Sequence, residues 1–96
     1  MAYDPGAIDA TLAAAVGDEP ALIAELREAF LDSAKRAGKA LEAARDADGW
    51  RAAAWRLKGL AASFGAVRLM ALATEAAEAP LDAVVLRRVR RAIERL

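Results

Sequence analysis

The strongest constraint on the fold is the stretch from Pro20 to Arg45. There Leu22, Ile23, Leu26, Phe30, Ser33, Ala34, Ala37, Leu41 and Ala44 return every three or four residues. That spacing predicts one long helix, with Asp18 as cap candidate, Glu19 as an acid beside it and Pro20 in the first turn. The chain is also rich in alanine, 28 of 96 residues. Alanine favours helix strongly and adds little side-chain burial, so the apolar content signals helix more than a large core.

The remaining segments read the same way. Asp4-Pro5-Gly6 is a breaker, and Ile8 to Val16 is a short helix that stops near Gly17. Asp46-Ala47-Asp48-Gly49 stops the long helix and turns the chain; it lacks the later ligands of a calcium loop. Helical spacing resumes from Trp50 to about Phe64 and again from Val67 to about Ala79. Pro80 and Asp82 then restart the chain into a last helix that reaches Leu96. Short connections make such helices antiparallel neighbours. The expected fold is all-α: an antiparallel up-down four-helix bundle with a short extra N-terminal helix, in a single domain over residues 1–96.

Much chemistry is excluded. The chain has no Cys and no His, which removes disulfides, thiol catalysis, the commonest metal ligand and the commonest general base. No metal or other cofactor is expected. Residues 1–48 carry 5 Lys/Arg against 10 Asp/Glu and residues 49–96 carry 9 against 4, so the halves stand at −5 and +5. A chain of zero net charge divided in this way gives no general case for nucleic acid. Neither a signal-like N-terminus nor a membrane-length apolar run is present, so a cytoplasmic location without a membrane partner is expected.

The segment from Trp50 to Phe64 carries the functional signal. On a wheel of roughly 100° per residue, Trp50, Ala53, Leu57, Leu60, Ala61 and Phe64 share one side, the expected core face. The other side collects Arg51, Ala52, Trp55, Lys58, Gly59 and Ala62, placing a large aromatic among small residues and two cations. Trp55 is expected to face solvent, either as an isolated apolar residue or as the centre of a shallow patch that another surface can approach. Gly59 favours the patch: a mid-helix glycine costs about 1 kcal/mol relative to alanine, and it sits on the side away from the core.

Ala53-Ala54-Trp55-Arg56-Leu57-Lys58-Gly59-Leu60-Ala61-Ala62-Ser63-Phe64-Gly65-Ala66 resembles the signature of histidine-phosphotransfer (HPt) domains, a His-x-Leu-Lys-Gly run followed by small residues and Gly-Ala. Leu57, Lys58, Gly59, Gly65 and Ala66 match in order. The resemblance extends to Ile8-Asp9, the Gly17-Asp18-Glu19-Pro20 turn, the long second helix, Asp48-Gly49-Trp50, and Leu69, Leu72 and Glu75. It implies a four-helix bundle whose docking face meets the receiver domains of response regulators. It also puts Trp55 where the phosphoacceptor histidine stands. An indole N–H only donates, so Trp55 cannot take phosphate from an aspartyl phosphate. Ser63, Ser33, Thr11 and Thr74 carry hydroxyls with no recognisable base beside them, so no catalytic residue is expected. Lys58, near the phosphohistidine in the family, becomes a docking charge here or an ordinary solvated lysine.

Two functions follow as expectations. One is a non-catalytic pseudo-HPt module that binds a response-regulator receiver domain or a histidine-kinase component and modulates phosphorelay signalling. The other is a structural role, a homodimer formed through Trp55 and the Ala52/Gly59/Ala62 patch. Elsewhere, Arg87, Arg88, Arg90, Arg91 and Arg95 make the last helix basic enough to meet phosphates or an acidic protein surface, but with no aromatic among them they are expected on a solvated face opposite Val85, Leu86, Val89, Ala92, Ile93 and Leu96. Glu25, Glu28 and Asp32 form an acidic outer face of the long helix, not a metal site. Leu69, Met70, Leu72, Ala73, Ala76 and Ala77 fill the core, with Glu75 and Glu78 outward.

Overall fold

The computed structural model describes residues 5–17 and 19–96. Residues 1–4 and Asp18 lie outside them, and with them Asp4 of the first breaker and the Asp18 cap. All regular structure among the described residues is helical: α1 (Pro5–Val16), α2 (Pro20–Ala43), α3 (Ala47–Ser63), α4 (Val67–Glu78) and α5 (Ala83–Glu94).

Each boundary has a local cause. Pro5, expected in a breaker, is instead the first residue of α1, where its missing N–H costs nothing. Gly17, at φ 79°, closes that helix, and its N–H donates to Ala13 O at 2.9 Å. The turn expected at Asp46 to Gly49 lies earlier. α2 ends at Ala43, and Asp46 caps α3 by accepting from Gly49 N at 2.7 Å. Ala47, Asp48 and Gly49 therefore belong to the first turn of α3. A short polar side chain before a helix satisfies an otherwise orphaned N–H, which is why it starts a helix as readily as it stops one.

α3 ends in a Schellman motif. Gly65 takes φ 72°, Ala66 N donates to Ala61 O at 2.9 Å, and Gly65 N donates to Ala62 O at 3.4 Å. Asp82 caps α5 by accepting from Val84 N and Val85 N.

One cluster of buried residues draws on all five helices, from Ile8 and Leu12 through Phe30, Leu41, Trp50, Leu57, Leu69 and Leu72 to Val89 and Ile93. α3 packs on α2 and α4, α5 packs on α4 and α2, and α1 packs on α2. Alanines such as Ala34, Ala37, Ala54, Ala61, Ala73 and Ala76 are fully buried, which lets backbones approach closely. At Gly38 a side chain of α5 fills the place of a Cβ, which would stand 2.7 Å from Ile93 Cδ1.

One hydrogen bond and one ring contact link the helices further. Pro80 has no N–H for the carbonyl four residues before it, Ala76, and the buried Trp50 indole N–H donates to that carbonyl at 2.7 Å. The rings of Phe30 and Phe64 lie 4.8 Å apart at 30°, joining α2 to the end of α3. No helix among the described residues is long and apolar enough to cross a membrane.

Candidate docking face on the third helix

α3 lies between α2 and α4, so its inner side is buried across a wider arc than one stripe. Trp50, Ala53, Leu57 and Ala61 are buried as the periodicity predicts. Ala54, assigned to neither side by the sequence reading, is completely buried, while Leu60 and Phe64, placed on the core face, are only half-buried. The buried arc is thus rotated towards Ala54.

The opposite side stays open. Arg51, Ala52, Trp55, Gly59 and Ala62 are exposed and Lys58 is half-exposed. Of the two tryptophans on this helix, Trp50 is 2% exposed and Trp55 is 51% exposed. Lys58 lies one turn beyond Trp55 and places its ammonium 4.7 Å from the indole ring centroid. At that distance the ring quadrupole attracts the cation, and the lysine stem covers part of the ring. Lys58 is therefore held against Trp55 instead of ranging freely in solvent.

Gly59 has nothing within 4 Å of the position a Cβ would occupy. This sets it apart from Gly38, whose missing side chain is explained by Ile93. No packing among the described residues explains Gly59. Arg51 reaches Asp48 at 3.5 Å, a loose pair with the carboxylate nearly fully exposed. With Arg56 also exposed, the apolar patch of Ala52, Trp55, Gly59 and Ala62 is bordered by cations.

The six residues singled out in the sequence thus share one open face of α3. What periodicity did not reveal is the stacking of Lys58 on Trp55, although a cation three residues after an exposed aromatic on a helix is in reach of it. Elsewhere, Arg88 bonds Glu75 at 2.6 Å and Arg90 lies 3.7 Å from Glu42, so α5 does face carboxylates of α4 and α2. Asp32 pairs with Arg36 at 2.7 Å on the outside of α2. No group of three or more acidic side chains suited to a metal ion occurs among the described residues. Thr74 bonds the Met70 carbonyl of its own helix at 2.9 Å. Comparison with protein-family models, curated proteins and solved structures finds no match.

Proposed function

We propose that the chain is a pseudo-HPt domain that docks on a receiver domain, or on a histidine-kinase component, through the outer face of α3 and tunes phosphorelay without carrying phosphate. The observation that carries the reading is Trp55: a large aromatic, half-exposed, at the position where the resemblance puts the phosphoacceptor. Gly59 stands one turn away with open space over it. Tryptophan is among the commonest hot-spot residues of interfaces, and a glycine beside it lets a partner backbone come close.

The proposed fold is the up-down four-helix bundle of α2 to α5 with α1 as the extra N-terminal helix. Its support is the pattern of neighbours, in which each of these four helices packs on two others. Gly38 meeting Ile93 while Glu42 meets Arg90 also fits antiparallel α2 and α5. The proposed setting is the cytoplasm.

The charges favour an acidic partner over a second copy. A two-fold contact centred on Trp55 brings Lys58 and Arg51 towards their own symmetry mates, and like charges face to face oppose association. A receiver with carboxylates around its phosphorylation site gives Lys58 a counter-charge in place of the indole.

Trp55→Ala tests the reading. Its stability is expected within about 0.5 kcal/mol of the parent, because an exposed side chain contributes little to folding. Receiver binding, followed by calorimetry, is expected to fall at least tenfold. Loss of helicity in this variant, or unchanged receiver binding, contradicts the proposal.

A further inference from the structure

The outer side of α5 carries a second ordered surface. Arg87, Arg91 and Arg95 are exposed and make no ion pair among the described residues, whereas Arg88 is held by Glu75. Their four-residue spacing sets these three arginines in one row along the helix. Beside the row, Arg87, Arg90, Arg91 and Glu94 line a shallow depression of about 200 Å3. The two unpaired guanidinium forks, Arg87 and Arg91, match the oxygens of a phosphate, while Arg90 also faces Glu42 at 3.7 Å and Glu94 opposes them.

An independent observation lies at the start of the same helix. Leu81 is held at φ 60°, a left-handed backbone that is strained for leucine, and its side chain is 49% exposed. Val84, 55% exposed, falls on the same line of the helix as Arg91 and Arg95. An apolar tip thus stands at the head of a cationic row.

We propose that this face binds the surface of an anionic lipid bilayer. A headgroup phosphate sits against Arg87 and Arg91, and Leu81 and Val84 enter the interfacial region. The combination selects a membrane over other polyanions. A planar leaflet meets a straight row of arginines at once, each cation near it strengthening association roughly fivefold. A leaflet also takes up exposed aliphatic side chains, which nucleic acid does not.

The charge distribution allows the approach. Glu25 and Glu28 lie on the first part of α2, whereas α5 meets α2 further along, at Gly38 and Glu42; Glu42 is paired with Arg90, and Asp82, between Leu81 and Val84, caps α5 through the N–H groups of Val84 and Val85. α3 and α5 do not touch each other among the described residues, each packing on α2 and α4. The lipid face is therefore turned away from Trp55, and the inference stands apart from the receiver reading. It also revises the expectation of no membrane partner, which rested on the absence of a spanning segment and not on the surface.

Sedimentation with vesicles of phosphatidylglycerol in phosphatidylcholine, against pure phosphatidylcholine, tests it. The protein is expected to sediment with the anionic vesicles alone, and less so as salt is raised. Arg87→Glu, Arg91→Glu and Arg95→Glu together are expected to weaken binding on the order of a hundredfold. Should that variant fail to fold, Arg91→Gln with Arg95→Gln is expected to weaken it on the order of tenfold. Val84→Ser is expected to weaken it severalfold, and Trp55→Ala to leave it unchanged. No sedimentation with anionic vesicles, unchanged binding by the folded arginine variants, or tighter binding to duplex DNA or polyglutamate than to vesicles overturns the proposal.

Discussion

At the scale of single residues, the two interior glycines Gly38 and Gly59 separate packing from function. Gly38 has Ile93 against it, whereas Gly59 has open space. Glycine inside a helix costs about 0.5–1 kcal/mol relative to alanine. Gly59→Ala is therefore expected to stabilise the fold by about that amount, a rise of roughly 2–8 °C in Tm for a domain of this size. Its receiver binding is expected to weaken. A Gly59→Ala protein that melts lower than the parent means that the site is packed in solution. Leu81 is the mirror case, a side chain where glycine or asparagine is favoured. The Asp82 N–H closes a turn on Ala79 O at 3.2 Å, with Pro80 second and Leu81 third at positive φ. Leu81→Asn is expected to gain about 1 kcal/mol in urea unfolding. Nothing in the sequence signals this conformation, because the residue that adopts it is not one that prefers it.

At the scale of the helices, the sequence reading succeeds where one periodic stripe meets one neighbour and fails where a helix has two. The exposure of Trp55 follows from the wheel, but the complete burial of Ala54 follows only from α3 lying between α2 and α4. The start of α3 was misplaced for a different reason. Asp46 is a residue type shared by turns and caps, and only the 2.7 Å bond from Gly49 N decides between them. The tie between α3 and α4 is likewise invisible in either helix alone. Pro80 has no N–H for the Ala76 carbonyl, which accepts instead from the Ala79 N–H at 3.1 Å and from Trp50 of another helix. Trp50→Phe removes one of the two donors to this carbonyl, which keeps the Ala79 N–H, and is expected to cost about 0.5–1.5 kcal/mol. Chemical denaturation of that variant within 0.5 kcal/mol of the parent would show that the bond contributes nothing net.

At the scale of the whole molecule, a neutral chain is divided into an acidic half and a basic half. The two halves meet at Arg90 and Glu42, at 3.7 Å with both side chains about half-exposed. Pairs of that kind contribute about 0–1 kcal/mol, so the division matters more for partners than for folding. α3 turns Trp55, Lys58 and Gly59 outward on one side, and α5 turns its arginines outward on another. The all-helical class and most of the buried residues were legible from the spacing of apolar residues, and the breaks between helices from Gly, Pro and Asp. The partner was legible only through the resemblance that centres on Trp55. The most direct test of the central claim is a titration with purified receiver domains, following tryptophan emission in the parent and in a Trp55→Phe variant that retains the buried Trp50. The account predicts a saturable change in the parent that disappears in Trp55→Phe. The same change in both proteins contradicts it, and no change with any receiver, while sedimentation shows mass rising with protein concentration, contradicts it and assigns the face to self-association.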